Sequence, residues 1–421
     1  MSHYDTVLKA LEEGHNVDTV YLDFSKAFDK VDKGILCHKL KKIGIYGKLG
    51  VWIHNFLTAR TQEILANGAK SAASNVKSGV PQGTVLGPLL FIIMINDLSD
   101  NVEDSLVSLF ADDTRVTRII KEENDLEKLQ EDLDIVYKWQ QDNNMLFNSK
   151  KFELLRYGKN QYLKTITNYM TPDCEDVISA KNVVRDLGVE MNDEAHFVDH
   201  INKVCSKVSQ KAGWILRTFA CRQTNFMKLM WKQLLQGHID YASQLYQPLQ
   251  SSNLERIENL QRNFTGRIPQ VKEQNYWQRL ATLKMLSQQR RLERYRLIYV
   301  WKVLEGLAPD PGLAGCTSSE RRGRECKIPA LKTQCSAKVK SLREASFQIH
   351  GPRLFNMLPK SIRGMKNCGI DEFKEQLDSF LAKIPDQPKI GDLTPEAMTL
   401  FTLKPSNSLL DQIRVHRPGG V

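Results

Sequence analysis

The five residues Phe110-Ala111-Asp112-Asp113-Thr114 join two runs of β-favouring residues. The apolar run Leu106–Ala111 precedes the aspartates and Arg115–Ile120 follows them, a pattern that predicts a β-hairpin with Asp112 and Asp113 at its tip. Because neighbouring residues of a strand point to opposite faces, only a turn lets both carboxylates reach one spot. Two carboxylates held together repel each other, and a bound divalent cation relieves that repulsion. The alternative for an isolated Asp-Asp pair is a solvated turn, since Asp is common in turns.

Length and composition indicate a globular protein of two or three domains. The chain has 421 residues, of which 41% are hydrophobic and 26% charged, values typical of soluble proteins. Its longest apolar stretch, Val85–Ile95, is interrupted by a glycine and a proline and is shorter than the roughly 20 residues that span a bilayer, so we expect no membrane partner. The eight cysteines include no Cys-x-x-Cys pair, and we interpret them as reduced thiols of an intracellular protein, nuclear or cytoplasmic. Cys316, Cys326 and Cys335 are spaced too widely for a common zinc site.

Charge is distributed unevenly along the chain. Residues 1–200 contain 23 Lys and Arg against 31 Asp and Glu, whereas residues 201–300 contain 17 against 5, a balance of +12. Residues 311–370 are also basic, with 12 against 3. An acidic first half beside two basic segments indicates a metal-using core flanked by surfaces for a polyanion. The alternative is that Lys and Arg only keep the helices soluble.

The order of predicted elements indicates an α+β fold with a split βαβ sheet and helices on one face. Val17–Phe24 alternates apolar and polar residues and predicts a strand that ends at Asp23. The Asp-Asp hairpin comes after helices, two short paired strands and a glycine-rich loop that opens a further helix. It is followed by an amphipathic helix and another strand. The predicted elements are the helix Gly34–Gly44, a helix containing Val51 to Leu57, the strands Gln62–Asn67 and Asn75–Ser78, a helix from Pro88 to about Leu98, an amphipathic helix from Leu126 to Trp139, and the strand Phe152–Tyr157.

From about residue 197 the pattern becomes helical and basic. The tryptophans of this region lie at helical spacing, which favours core positions over stacking platforms for nucleic-acid bases. A later helix is predicted around Phe373, Leu377 and Phe380. The candidate helices before it are Phe197–Phe219, Asn225–His238, Leu254–Phe264 and Tyr276–Leu304, and their tryptophans are Trp214, Trp231, Trp277 and Trp301.

Three carboxylates converge if the hairpin pairs beside the first strand. Asp23 ends that strand, and Asp112 and Asp113 then lie at the same edge of the sheet although 89 residues of chain separate them from Asp23. Convergent carboxylate oxygens are the ligands that Mg²⁺ and Mn²⁺ prefer. Two such ions activate an attacking hydroxyl and stabilise the leaving oxygen in phosphoryl transfer.

These motifs resemble the palm motifs of reverse transcriptases, in particular those of non-LTR (LINE, jockey-like) retrotransposons. The resemblance rests on three stretches in this order and spacing, and further matches extend it over nearly the whole chain. The three stretches are Tyr-Leu-Asp23-Phe-Ser-Lys-Ala-Phe28-Asp, Gly79-Val-Pro-Gln-Gly-Thr-Val-Leu-Gly-Pro-Leu-Leu-Phe91 and Phe110-Ala-Asp-Asp; the later ones include Asn144 to Gly158, Arg185-Asp-Leu-Gly188 and Gly351 to Pro359.

The resemblance implies a role for each matching acidic position. Asp23 and Asp112 would hold two Mg²⁺ (or Mn²⁺) ions with help from the backbone carbonyl of Phe24, and Asp113 would complete the acidic cluster. Lys151 would protonate the leaving pyrophosphate, the alternative being a lysine on a solvated face.

The resemblance also implies a nucleotide pocket. Phe28 would lie under the incoming sugar and exclude a 2′-hydroxyl; the alternative is that it belongs to the core. Gln82 and Gly83 would line the pocket, and a glycine suits this role because no Cβ obstructs close approach of the backbone.

By this resemblance the domains are a palm over residues 1–192, a nucleic-acid-binding helical thumb over 193–310, a small basic C-terminal segment over 311–385 and a polar tail over 386–421. A fingers region normally precedes the first aspartate strand, but only 22 residues precede Asp23. The expectation is therefore a truncated chain, with fingers missing and weak or absent activity.

The predicted function is RNA-directed DNA synthesis, with an RNA template, a DNA primer and deoxynucleotides as partners. The alternative is a non-catalytic, nucleic-acid-binding remnant of a mobile element.

Overall fold

The computed structural model describes residues 1–166, 168–172, 176–246, 251–313, 328, 336–386 and 408–416. The chain divides into two compact units. One is Gly14–Leu187, and the other joins Met1–Glu13 to Gly188–Val421.

The domain predicted over residues 1–192 differs from these units, because the first helix, α1 (Ser2–Glu12), groups with residues after Leu187. Two contacts explain this grouping: the Tyr4 hydroxyl donates to the carbonyl of Ala195 at 2.8 Å, and Glu12 forms an ion pair with Arg343 at 2.9 Å.

The unit Gly14–Leu187 is built on a five-stranded sheet with the order β6-β7-β1-β8-β9. Strand β1 is central and antiparallel to both β7 and β8. With the short β9 aside, this is the strand order of a split βαβ sheet, and the prediction of that sheet is confirmed. The strands of this unit are β1 (Asn16–Asp23), β2 (Thr61–Gln62), β3 (Leu65–Ala66), β4 (Ala69–Lys70), β5 (Ser74–Asn75), β6 (Leu106–Phe110), β7 (Asp113–Ile120), β8 (Glu153–Tyr157), β9 (Ala180–Lys181) and β10 (Val183–Asp186).

Helices cover one face of this sheet. The alternating sequence of β1 and β7 places Val20, Leu22 and Val116 in a buried core shared with Phe91 and Leu133 of two helices. Asp23 and Asp113 occupy the alternate positions of these strands and point to the opposite face. The helices of this unit are α2 (Ala27–Lys30), α3 (Lys33–Lys42), α4 (Gly47–Leu57), α5 (Leu86–Ile95), α6 (Asn124–Asp142) and α7 (Gln161–Thr165).

Two predicted features of this unit are modified in the structure. The strands expected over 62–67 and 75–78 pair over only two residues each, Thr61 with Asn75 and Gln62 with Ser74, and a second small hairpin lies between them. Helix α5 ends at Ile95 rather than near Leu98, and turns follow it.

In the part that the structure describes, the second unit is helical apart from the strand β11 (Val189–Asn192) near its start. Its core contains the fully buried Trp301 beside Phe347 and Phe373. Leu377 is buried as well, as predicted for the C-terminal helix. The helices are α8 (Val198–Thr218), α9 (Thr224–Met230), α10 (Gln236–Asp240), α11 (Ser251–Thr265), α12 (Tyr276–Leu283), α13 (Gln288–Leu304), α14 (Ala337–Ala345), α15 (Phe347–Met357), α16 (Lys360–Arg363), α17 (Ile370–Leu381) and α18 (Leu409–His416).

Two helices predicted as continuous are interrupted. The helix expected over 225–238 contains a π-helical turn, Trp231–Leu235. The helix expected over 276–304 breaks at Lys284, whose φ of 51° is left-handed, and restarts where the Ser287 side chain accepts a hydrogen bond from the Arg290 backbone nitrogen. Cys316, Cys326 and Cys335 lie outside the described residues. Among the helices that are described, none is both long and apolar enough to cross a membrane.

Candidate active site

The Asp-Asp hairpin has a two-residue turn. Phe110 pairs with Asp113 across β6 and β7, which leaves Ala111 and Asp112 as the loop. Ala111 has a φ of 52°, which is uncommon for a residue other than glycine and is tolerated where the surrounding structure holds it. The hairpin predicted from the sequence is confirmed.

Asp23 lies directly opposite Asp113 in the register of β1 and β7. Directly opposite residues of an antiparallel pair share a face of the sheet, so both carboxylates point away from the helical core. Partial burial raises the pKa of Asp113, and the negative charges of Asp112, Asp23 and Asp186 raise it further. The structure therefore brings the three predicted acidic residues together.

Lys151 contacts this acidic group. Its Nζ lies 2.8 Å from Oδ2 of Asp23, and this hydrogen bond raises the pKa of Lys151. The backbone fixes the approach, because Asn148 donates its N–H to the carbonyl of Asp23 at 2.7 Å and the turn Ser149–Lys151 follows directly. The ammonium of Lys151 is thus held as a counter-ion of the Asp23 carboxylate.

Arg115 and Asp186 belong to the same face, although neither is among the residues predicted for the site. Arg115 follows Asp113 by two positions on β7, and its guanidinium forms an ion pair with Asp186 of β10. A cleft of about 570 Å³ is lined by these two residues together with Asp23, Asp113 and Lys151. The two-residue spacing from Asp113 could have identified Arg115; no local pattern marks Asp186.

Phe24 packs its side chain into the core and stacks on Phe147 with ring centroids 4.3 Å apart. Two backbone hydrogen bonds flank it: the Ser25 N–H donates to the Leu146 carbonyl, and the Asn148 N–H donates to the Asp23 carbonyl. Phe24 therefore anchors the end of β1 at the site.

Phe28, Gln82 and Gly83 form a second group, which does not line the described part of that cleft. The ring of Phe28 is half-buried and stacks on Phe91 with centroids 4.3 Å apart. The Gln82 side-chain amide donates to the Asp29 carboxylate at 2.8 Å. Gly83 has a φ of +74° and open space around the position of a Cβ.

The loop carrying Gln82 is fastened to the Phe28 segment by backbone hydrogen bonds. Val80 donates to the Phe28 carbonyl at 2.9 Å, and Gly79 donates to the Val31 carbonyl at 2.8 Å. The approach is so close that a Cβ on Gly79 would lie 2.9 Å from backbone atoms of Phe28 and Asp29.

The acidic group fits hard divalent cations by its donors. Across the described ranges of the chain, no three His, Cys, Asp or Glu side chains are already arranged to hold a metal ion. Asp23, Asp112 and Asp113 nevertheless offer only carboxylate oxygens, which Mg²⁺ and Mn²⁺ prefer. Burial is the main cause of the raised pKa of Asp113, and a bound cation would relieve the added repulsion from Asp112 and Asp23.

Residues 6–191 match the family model described as reverse transcriptase (RNA-dependent DNA polymerase). This segment is a reverse transcriptase domain, and it includes the Asp23 strand and the Asp-Asp hairpin. Reverse transcriptases generally use divalent metal ions, in agreement with the donor set.

The curated relatives that the chain matches include polymerases of mobile elements. The chain is 26% identical over 280 residues to the RNA-directed DNA polymerase from mobile element jockey of Drosophila melanogaster, and 27% identical over 281 residues to that of Drosophila funebris. It is 25% identical over 268 residues to the probable RNA-directed DNA polymerase from transposon X-element. These alignments use 61–62% of this chain and 29% of each relative. The predicted resemblance to non-LTR, jockey-like reverse transcriptases is confirmed, and the chain spans less than a third of those relatives.

Solved structures with a partial likeness include two telomerases. Telomerase from Candida albicans in complex with a TWJ fragment of telomeric RNA is 13% identical, with 67% of this chain and 46% of that chain covered and a TM-score of 0.39. Apo telomerase from Candida tropicalis is also 13% identical, with 72% and 48% covered and a TM-score of 0.39.

Proposed function

We propose that this chain carries the catalytic centre of an RNA-directed DNA polymerase of a non-LTR retrotransposon. The observation that supports this most directly is the register of β1 and β7, which sets Asp23 opposite Asp113 with Asp112 in the adjoining turn. In this proposal the substrates are an RNA template, a DNA primer and deoxynucleoside triphosphates.

The unit Gly14–Leu187 acts as the palm, and the basic helices from Val198 to Leu304 act as the thumb. The palm assignment is supported by the split βαβ sheet and by the match of residues 6–191 to the family. The thumb assignment is supported by the balance of +12 over residues 201–300, which favours sequence-independent attraction to phosphates.

Asp23 and Asp112 would hold the divalent cations, Mg²⁺ or Mn²⁺, with the Phe24 carbonyl as a further oxygen ligand. Cations held there would supply the positive charge that activates a primer hydroxyl and stabilises a leaving oxygen. Asp113 completes the acidic group from the position opposite Asp23.

Phe28, Gln82 and Gly83 form the nucleotide pocket. Stacking on Phe91 fixes the Phe28 ring, so the ring can exclude a 2′-hydroxyl by its bulk. The hydrogen bond to Asp29 holds the Gln82 amide in place, and the open space at Gly83 lets a ligand approach the backbone.

Lys151 donates a proton to the leaving pyrophosphate. A lysine is protonated near neutral pH, as a proton donor must be, and the hydrogen bond to Asp23 raises the pKa of Lys151 further. Its contact with Asp23 places that proton beside the acidic group before substrates bind.

Primer extension on an RNA template tests the proposal directly. We expect Asp112→Ala to abolish incorporation of deoxynucleotides, while Asp142→Ala, at an exposed carboxylate of α6, leaves it unchanged. Extension that persists in Asp112→Ala would falsify the role of the acidic group.

A second candidate function is nucleic-acid binding without catalysis, which the positive balance of residues 201–300 favours on its own. It predicts salt-sensitive binding of RNA and DNA that Asp112→Ala leaves unchanged, with no incorporation by the unmodified chain.

A further inference from the structure

Helix α8 carries an exposed tryptophan, whereas core positions were predicted for the tryptophans of this region. Trp231 and Trp301 are buried in the helical unit, as predicted, whereas Trp214 is 50% exposed. Phe219 contacts its ring in a T-shaped arrangement, with centroids 5.9 Å apart and an interplanar angle of 83°. A large aromatic ring that is held on one side and open on the other is a surface on which a flat ligand can stack.

Two lysines lie along the same stripe of the helix. Lys207, Lys211 and Trp214 follow at spacings of four and three residues, which places them on one face of α8. Lys203, one turn earlier, is neutralised by an ion pair with Glu190. Lys207 and Lys211 form no such pair with any residue that the structure describes, so their charges are available to an anion.

An apolar groove adjoins the ring and the second lysine. Gln210, Lys211, Trp214, Ile215 and Leu234 line a groove of about 300 Å³. Burial lowers the pKa of the nearby His238, and the positive charges of Lys211 and Lys207 lower it further. The groove therefore combines an aromatic wall, an apolar floor and a positive field.

We propose that Trp214, Lys207 and Lys211 bind a single-stranded segment of nucleic acid, with one unpaired base stacked on the indole and its phosphates beside the two ammonium groups. Charge complementarity selects a polyanion, and the open ring face selects a base. Bases inside a duplex have both faces covered by their neighbours, so a single strand is the form that fits. This inference rests on the proposed function for its nucleic-acid partner but does not depend on catalysis.

Fluorescence anisotropy of the full chain with a labelled 12-nucleotide single strand, as RNA and as DNA, tests the site. Because stacking of one base on an aromatic ring contributes about 1–3 kcal/mol, we expect Trp214→Ala to raise the Kd about 5- to 150-fold. Trp214→Phe retains most of the affinity. A loss of affinity for both the RNA and the DNA shows that the site recognises only base and phosphate. A loss for one of them identifies the nucleic acid that the site binds.

Trp52→Ala is the matched control. Trp52 is 53% exposed and stacks on Phe56 at 5.7 Å, but it lies in the other unit, on a helix with the single lysine Lys48. We expect it to bind like the unmodified chain. The double substitution of Lys207 and Lys211 by Gln should reduce the slope of log K against log[salt] by about 1.4 in magnitude, because each lost phosphate contact reduces it by about 0.7.

Three results would overturn the site: unchanged single-strand affinity in Trp214→Ala, an equal loss in Trp52→Ala, or an equal loss for a blunt duplex of the same sequence. None of these measurements uses nucleotide incorporation. A failure of the catalytic proposal is therefore distinguishable from a failure here.

Discussion

Alanine substitutions at Gly79 and Gly83, which lie in one loop, distinguish backbone strain from steric overlap. Gly79 has a φ of +90° and Gly83 a φ of +74°, so an alanine at either position must adopt a left-handed backbone. That conformation costs about 1–2 kcal/mol for a residue with a Cβ. At Gly83 the added Cβ meets nothing within 4 Å. At Gly79 it lies 2.9 Å from backbone atoms of Phe28 and Asp29, which have no flexible end that can move away.

We therefore expect Gly83→Ala to lower the free energy of unfolding by about 1–2 kcal/mol. Gly79→Ala adds the cost of forcing an extra methyl group into a packed site, about 1–3 kcal/mol, which gives a total of about 2–5 kcal/mol. The loop must also shift away from the Phe28 segment, so Gly79→Ala should weaken nucleotide incorporation through a raised KM.

Urea denaturation of the full chain, followed by circular dichroism, measures the stability difference between the two variants. Steady-state incorporation with varied deoxynucleotide concentration measures the effect on KM. Equal stabilities for Gly79→Ala and Gly83→Ala would refute the close approach of this loop to the Phe28 segment.

Three further predictions concern the same unit. Burial raises the pKa of Asp18 to about 6. The folded state therefore retains the proton on Asp18 to a higher pH than the unfolded chain does. The contribution of this protonated carboxyl to stability is full below about pH 4 and is lost as the pH rises through about 6. Asp18→Asn should flatten this part of the pH dependence of urea unfolding, and an unchanged profile would contradict the assignment. Phe28→Val should increase ribonucleotide incorporation relative to deoxynucleotide incorporation in primer extension; an unchanged ratio would indicate that the ring serves the core alone. Lys151→Met should tighten Mn²⁺ binding, measured by electron paramagnetic resonance, because the ammonium no longer competes for Asp23; Lys48→Met, at an exposed lysine of the same unit, should have no effect, and weaker binding in Lys151→Met would contradict the competition.

Local patterns in the sequence predict most of the sheet. The alternation in β1 and the apolar runs around Asp112 and Asp113 mark strands and a turn, and antiparallel pairing then brings these acids to Asp23. Each of these signals is contained within a few consecutive residues, where strand and turn preferences act directly.

The remaining features of the site depend on contacts between distant residues. Lys151 and Asp23 are 128 positions apart, and Arg115 and Asp186 are 71 apart, so no periodicity links either pair. The exposure of Trp214 likewise follows from how helices pack, because its spacing in the sequence resembles that of the buried Trp231.

The placement of helix α1 has a consequence for synthesis on the ribosome. Tyr4 and Glu12 contact Ala195 and Arg343, which are 191 and 331 positions later in the chain. At about 5–20 residues per second, Arg343 is made roughly 15 seconds to one minute after Glu12. During this interval the synthesis of the continuous segment Gly14–Leu187 is completed, whereas residues that α1 contacts have not all been made. The sheet should consequently assemble first, and the helical unit should close last around α1.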